Sequence, residues 1–114
     1  MPQSMNTLAQ LEQTIAGRIA HGDTQASYVA ALHARGLPVI ARKLGEETVE
    51  AIVAALSGTR EELIGESADI LFHLLVLLAE KGIPLSAVLA ELERREGTSG
   101  LEEKASRSSS RETP

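Results

Sequence analysis

The sequence predicts an all-α protein, a bundle of about five helices with a central antiparallel helical hairpin, assembled as a tight dimer. Apolar residues recur at helical spacing, and no stretch alternates in the manner of a strand bounded by turns. Helix start and stop signals divide the chain into five segments. The segment "LIGESADILFHLLVLL" is apolar almost all round, which is typical of a helix buried on most sides.

The first two helices are bounded by polar caps and glycine. Asn6 or Thr7 is predicted to cap a helix that runs to about Ala20. The stretch "SYVAALHARG" predicts a short second helix with Ser27 near its start and Gly36 just past its end.

The third and fourth helices form the predicted hairpin. Pro38 suits the first turn of a helix that runs to about Leu56, because its missing N–H has no helical partner there. Thr59 and Glu62 form a capping box that starts the fourth helix, which ends near Lys81. The connection between the two helices is short, so they are expected to run antiparallel.

The remaining segment contains one more helix and a tail. Pro84 opens a fifth helix through about Glu96. We predict one domain over residues 6–96 and a polar tail over 97–114 that is flexible or becomes ordered by substrate.

The amino-acid composition limits the classes of protein to which this chain can belong. The chain has 114 residues and no Cys, which predicts one domain without disulfides or thiolate metal sites. The N-terminus lacks a basic region followed by an apolar stretch, so no secretory signal is expected. The longest apolar run, residues 70–79, is far shorter than the roughly 20 residues of a membrane span. We therefore expect a cytoplasmic protein without a membrane partner.

The charge argues against nucleic acid as a partner. The net charge is −5, and one Tyr and one Phe leave little surface for base stacking. An acidic protein that handles phosphate groups needs a cation between itself and its substrate.

The fourth helix also predicts the dimer. Five short helices in one small monomer would struggle to cover its apolar circumference, so a dimer or higher even oligomer is expected. Its single polar stripe comprises Glu62, Glu66, Asp69, His73 and Glu80.

Two acidic pairs lie at matching distances from the hairpin turn. Glu50 and Glu66 each lie eight positions from Gly58, and Glu47 and Asp69 each lie eleven. Residues three apart are neighbours on a helix surface, so each pair can point at one place. With a rise of about 1.5 Å per residue, both pairs reach equal heights in an antiparallel hairpin.

Four converging carboxylates need a cation. Two like charges about 5.5 Å apart repel by roughly 3 kcal/mol at an effective dielectric constant near 20. All-oxygen ligands favour Mg²⁺, with Mn²⁺ as a substitute. Solvated acidic faces stay open as an alternative, and His73 is expected to be a hydrogen-bonded core residue more often than a ligand. Gly45 and Gly65 indicate either helix packing or close approach of a ligand. A di-iron bundle is rejected because it needs Glu-x-x-His pairs on two helices, whereas His73 follows Asp69 by four positions and no other His lies near.

The stretches "KLGEETVE" and "GESAD" resemble the Glu-x-x-Glu and Glu-x-x-Asp signature of the all-α nucleotide pyrophosphohydrolases, the MazG-type superfamily. "SYVAALHARG", "ELIGESADILFHLLVLLAEKG" and "LERREGTSGLEEKASR" resemble the phosphoribosyl-ATP pyrophosphohydrolase family within it. The likeness covers about residues 8–107. One departure is Phe72, where many relatives are expected to have Tyr.

The resemblance implies Mg²⁺-dependent hydrolysis of 1-(5-phosphoribosyl)-ATP to 1-(5-phosphoribosyl)-AMP and pyrophosphate, the second step of histidine biosynthesis. It implies that Glu46 or Glu47 orients or deprotonates the attacking water. The implied metal ligands are Glu47, Glu50, Glu66 and Asp69. The implied substrate contacts are Lys43, Tyr28, Lys104 and Arg107. Two alternatives to these contacts stay open: Lys43 can form a salt bridge with Glu47, four positions later, and Tyr28 can pack against the bundle.

Two other functions remain open at this point. One is a pyrophosphohydrolase of another nucleoside or deoxynucleoside triphosphate, with the same metal chemistry and a different base pocket. The other is a non-enzymatic helical dimerisation module whose acidic stripes are solvated.

Overall fold

The computed structural model describes residues 3–96, with side chains from residue 7 onward, and residues 104 and 107. Within these residues the regular structure is entirely helical, which confirms the predicted all-α class. The helices are α1 (Gln3–His21), α2 (Tyr28–Arg35), α3 (Leu37–Ser57), α4 (Arg60–Glu80) and α5 (Leu85–Glu96).

The start of α1 differs from the prediction. The helix begins at Gln3, before Asn6 and Thr7, so neither of these residues is its N-cap. A residue type that favours a cap does not end a helix when the preceding residues can also adopt helical dihedrals. The end at His21 agrees with the prediction within one residue.

The predicted caps of α2 and α4 are confirmed. The Ser27 hydroxyl accepts a hydrogen bond from the Ala30 N–H at the start of α2. At the start of α4, Thr59 and Glu62 satisfy each other's backbone N–H groups in a capping box. Gly82 follows the end of α4 with a φ of 68°, a left-handed conformation that glycine adopts without steric cost.

Helices α1 to α4 share one hydrophobic core. Each contributes one of the largest fully buried side chains: Ile15, Leu32, Ile40 and Val76. This core lies at the beginning of α3 and the end of α4. It leaves the other end of the hairpin, which carries the acidic pairs, at the surface.

Helix α5 belongs to a second compact unit that begins at Pro84. None of its residues is buried. Lys104 and Arg107 are helical and exposed, and the rest of the predicted tail lies outside the described residues. The domain boundary after residue 96 stays a prediction.

The hairpin exposes a broad apolar surface in the single chain. On α3, Val49, Ile52, Val53 and Leu56 are 54–83% exposed, whereas Ile40 in the first turns of the same helix is fully buried. The small residues Ala51 and Ala54 are buried on this half of the helix instead. Helix α4 likewise exposes Ile64 and Leu71, which agrees with the expectation that a single chain does not cover its apolar circumference.

No single helix in the described part of the chain is long and apolar enough to cross a bilayer; α4 and α5 pass that test only when joined across the break between them. The cytoplasmic location stays a prediction.

Candidate metal centre

Three predicted ligands from the two hairpin helices meet at one point. One carboxylate oxygen each from Glu47, Glu66 and Asp69 lies within 4.8 Å of the other two. Glu47 comes from α3 and the other two come from α4, so the antiparallel register aligns the acidic pairs. Glu47 and Glu66 are half-buried, and Asp69 is exposed.

Glu50 lies beside this group without joining it. Its side chain lines a cavity of about 510 Å³ together with Glu66, Asp69 and Gly65. Its negative charge also raises the pKa of both Glu47 and Glu66. We call Glu47, Glu50, Glu66 and Asp69 the carboxylate cluster.

The electrostatics of the cluster disfavour the charged form of Glu47. Burial raises the pKa of Glu47 above its usual value of 4.5 and is the largest cause. The negative charges of Glu50, Asp69 and Glu66 raise this pKa further, in that order. His73 acts in the opposite direction.

Glu66 is perturbed in the same way. Burial is the largest cause of its raised pKa, followed by the charges of Glu50 and Asp69, while a side-chain hydrogen bond with Glu47 lowers it. Its Oε2 atom is buried and has no hydrogen-bond partner. A buried acceptor without a donor is costly, and a cation is the partner that a group of carboxylates lacks. The donor set is all oxygen and fits a hard divalent ion such as Mg²⁺.

Glu46 and Lys43 lie next to the cluster along α3. The Glu46 carboxylate is outside the group of three and lies 3.7 Å from Arg42 Nε and 3.8 Å from Lys43 Nζ. The sequence suggested a salt bridge from Lys43 to Glu47. In the structure Lys43 instead pairs with Glu46. Glu46 and Glu50 line a second cavity of about 800 Å³ with Gly45 and Arg42.

Tyr28 contacts the hairpin from α2. Its ring stacks on Phe72 with centroids 5.9 Å apart and an interplanar angle of 23°. Its hydroxyl lies 3.2 Å from Nε2 of His73, and 52% of the residue is exposed. His73 itself is buried, which confirms the expectation of a hydrogen-bonded core histidine.

The two hairpin glycines are not explained by packing within the chain. A Cβ added to Gly45 or to Gly65 would meet no atom within 4 Å. Each of these glycines lines one of the two cavities beside the carboxylates. Their bare backbone therefore faces open space at the candidate site.

Lys104 and Arg107 belong to the second compact unit, so their roles as substrate contacts stay predictions.

One contact outside the carboxylate cluster was not predicted. Glu80, the last member of the polar stripe of α4, has a side chain that is 13% exposed and pairs with Nδ1 of His33. The two residues are 47 positions apart, so no local spacing signals the pair. This contact joins the end of α2 to the end of α4.

Known proteins resemble this chain over nearly its whole length. A family model described as phosphoribosyl-ATP pyrophosphohydrolase matches residues 8–96. A phosphoribosyl-ATP pyrophosphatase of Rhizorhabdus wittichii is 64% identical over 101 residues, which are 89% of this chain and 94% of the relative. One of Erythrobacter litoralis is 60% identical over 103 residues, 90% of this chain and 98% of the relative. One of Novosphingobium aromaticivorans is 62% identical over 101 residues, 89% of this chain and 94% of the relative.

Proposed function

Because this chain belongs to the phosphoribosyl-ATP pyrophosphohydrolase family, we propose that it hydrolyses 1-(5-phosphoribosyl)-ATP to 1-(5-phosphoribosyl)-AMP and pyrophosphate. In this reaction water adds across the anhydride between the α- and β-phosphates. This hydrolysis is the second step of histidine biosynthesis. The observation that carries the proposal is the convergence of Glu47, Glu66 and Asp69 at a point beside an open cavity.

The carboxylate cluster holds a divalent ion, Mg²⁺ or Mn²⁺. The ligands are Glu47, Glu66 and Asp69, with Glu50 beside them. The buried, unpartnered Oε2 of Glu66 and the raised pKa values of Glu47 and Glu66 support this assignment, because both features are relieved by a cation. When bound, such an ion supplies positive charge at the phosphate oxygens and acidifies a nearby water.

A carboxylate of α3 takes the proton from the attacking water. Glu47 is the first candidate because its carboxylate belongs to the group of three beside the open cavity. Glu46 is the alternative, one position earlier on the same helix. Its carboxylate pairs with Arg42 and Lys43 and is not one of the group of three.

Basic and aromatic residues contact the substrate. Lys43 lies one turn before Glu47 and is one-third exposed, so its ammonium group is available to a phosphate. Tyr28 presents a half-exposed ring to the purine base. Lys104 and Arg107 keep the substrate-binding roles that the resemblance implies.

The active form is a homodimer. Val49, Ile52, Val53 and Leu56 follow an i, i+3, i+4, i+7 pattern and form one exposed apolar stripe on α3. A second copy of the hairpin offers the same stripe, which is what a two-fold interface requires. Val49 and Val53 also line the cavity beside Glu66, so the interface and the carboxylate cluster adjoin.

Pyrophosphate release tests the proposed function. Purified protein with Mg²⁺ is expected to release pyrophosphate from phosphoribosyl-ATP faster than from dUTP, dCTP or ATP. EDTA and Glu66→Gln should each abolish this activity, whereas the control Glu61→Gln on the exposed first turn of α4 should retain it. Faster release from another nucleotide would identify that nucleotide as the substrate instead. No release of pyrophosphate from any nucleotide would indicate a non-enzymatic dimerisation module.

A further inference from the structure

His73 is a buried polar ring in an otherwise apolar setting. It is 4% exposed, and its ring lies edge-on to Tyr28 and to Phe72, with centroids 5.9 Å and 5.1 Å away. A buried imidazole costs free energy unless both of its nitrogens are hydrogen-bonded. An aliphatic residue would fill this space at lower cost, so the hydrogen bonds of the ring need a reason.

The partners of the ring fix its tautomer. Nδ1 lies 2.8 Å from the backbone carbonyl oxygen of Asp69. A carbonyl oxygen only accepts, so Nδ1–H is the donor. Nε2 of the neutral ring then has a free lone pair and accepts the hydrogen bond from the Tyr28 hydroxyl, 3.2 Å away. One imidazole therefore connects the backbone of Asp69 to the side chain of Tyr28.

We propose that His73 is a positioning residue that fixes Asp69 for metal binding through Nδ1 and Tyr28 for base stacking through Nε2. This inference rests on the proposed function, in which Asp69 is a ligand and Tyr28 a substrate contact. His73 itself touches neither the ion nor the substrate in this account.

The effect on Asp69 follows from its place in the helix. Asp69 is the exposed member of the group of three, so its own surroundings restrain it least. In α4 its carbonyl receives the helical N–H of His73, and the ring adds a second hydrogen bond to the same oxygen. This holds the turn from which the Asp69 carboxylate projects. Groups that orient a metal ligand in this way affect metal affinity by about 10–100-fold.

The effect on Tyr28 follows from two restraints on its ring and from its exposure. Phe72 covers one face of the ring, the hydroxyl is held by Nε2, and about half of the residue remains exposed. A fixed aromatic ring with a free face loses little entropy when a planar base stacks on it.

Metal affinity measured without substrate tests the first half of the proposal. The dissociation constant for Mn²⁺ is measured by isothermal titration calorimetry on the protein alone. His73→Leu is expected to raise it by about tenfold. His73→Asn should restore most of the affinity, because its amide N–H stands close to where Nδ1–H stands. His73→Gln places its amide farther out, toward Tyr28, so it should bind Mn²⁺ more weakly than His73→Asn. This comparison still tests the proposal if His73→Leu does not fold.

Substrate affinity tests the second half. Tyr28→Phe keeps the ring and removes the hydroxyl bonded to Nε2. We expect the KM for phosphoribosyl-ATP to rise severalfold while the Mn²⁺ dissociation constant stays at its wild-type value. An unchanged KM would overturn the role of Nε2.

His33→Gln is the matched control. It removes the imidazole that pairs with Glu80, a further side-chain contact between α2 and α4, without touching Asp69. It should lower Tm and leave Mn²⁺ affinity unchanged. A folded His73→Leu protein with wild-type Mn²⁺ affinity, or an equal loss in His33→Gln, would overturn the positioning role. Wild-type protein that binds no Mn²⁺ and releases no pyrophosphate would instead refute the proposed function.

Discussion

Glu47 and Glu66 lie on helices joined by only two residues, and their carboxylate oxygens approach within 4.8 Å of each other. Because both are half-buried, each raises the free energy of the ionised form of the other unless a proton or a cation lies between them. The hairpin therefore stores electrostatic repulsion at the place where the proposed ion binds.

Removing one of these charges should stabilise the metal-free protein. The pKa of Glu66 is raised, so its ionised form destabilises the fold at pH 7. Glu66→Gln keeps the shape, removes the charge and can donate to Glu47. We expect a higher Tm in EDTA and no further rise on addition of Mg²⁺, measured by circular dichroism. The control Glu61→Gln should leave the stabilisation by Mg²⁺ intact, and a lower Tm of Glu66→Gln in EDTA would contradict the account.

The same pKa shifts predict a pH dependence with a defined sign. Below the usual pKa of 4.5, Glu47 and Glu66 are protonated in both the folded and the unfolded state. As the pH rises from 4.5 through the raised folded-state pKa values, the unfolded state releases these protons first, so the free energy of unfolding falls. Above those values the loss is constant.

Urea denaturation over pH 4–8 checks this prediction. Other carboxyl groups oppose the trend, including Glu91, whose pKa is lowered to about 2 by its hydrogen bonds with Arg94 and Arg95. The informative quantity is therefore the difference between wild type and the double variant Glu47→Gln/Glu66→Gln in EDTA. This difference should grow in favour of the variant as the pH rises. A difference that is independent of pH would count against the coupling.

The capping box at the start of α4 should contribute measurably to stability. Thr59→Ala removes the acceptor of the Glu62 N–H and is expected to cost about 1 kcal/mol of unfolding free energy in urea denaturation. Thr48→Ala is the matched control, because its hydroxyl only donates to the Leu44 carbonyl on an exposed helix surface. It should cost nothing, since Ala is the better helix former. Equal losses would show that the cap has no special role.

Replacing Gly45 by Ala should raise stability and lower activity. A Cβ at this position would meet no atom of the described residues within 4 Å, so Gly45→Ala is expected to add up to about 1 kcal/mol of stability. Because Gly45 lines the cavity beside Glu46 and Glu50, the added methyl group should lower kcat/KM for phosphoribosyl-ATP. Gly17→Ala on α1 also meets no atom and should stabilise without changing kcat/KM. An unchanged kcat/KM in Gly45→Ala would remove the ligand as the reason for this glycine.

The apolar stripe of α3 should form the dimer interface. Leu56 is 83% exposed in the single chain, so Leu56→Glu is not expected to disturb the core. It should convert the dimer into a monomer in sedimentation equilibrium, because a buried, unpaired carboxylate is costly. Leu37→Glu at the opposite end of α3 should remain dimeric. A wild-type monomer at micromolar concentration would contradict the proposed assembly.

Local signals in the sequence were sufficient for most helix boundaries. Ser27, Thr59 and Glu62 act through hydrogen bonds to residues within three positions, so their patterns identify caps directly. The predicted start of α1 was wrong because Asn6 and Thr7 are compatible with a helix interior as well as with an N-cap. The salt bridge from Lys43 to Glu47 that the sequence suggested was wrong. Glu46 and Glu47 are both within reach of Lys43 along the helix, and side-chain rotamers decide between them.

The site depended on both local and long-range geometry. The equal sequence distances from Gly58 predicted that the two acidic pairs lie at the same height along the hairpin. The rotation of each helix about its axis decides which carboxylate oxygens converge. The structure brings Glu47, Glu66 and Asp69 together and leaves Glu50 at the edge of the cavity. The link from Tyr28 to His73 spans 45 positions and follows from the packing of α2 on α4, which no periodicity encodes.

The most direct test of the central claim is to locate the ion. Crystals of the protein grown with Mn²⁺ and measured near the manganese absorption edge give an anomalous peak at each bound ion. We predict a peak at coordination distance from the carboxylate oxygens of Glu47, Glu66 and Asp69, absent from Glu66→Gln. Fully occupied Mn²⁺ elsewhere, with no peak at the carboxylate cluster, would contradict the account.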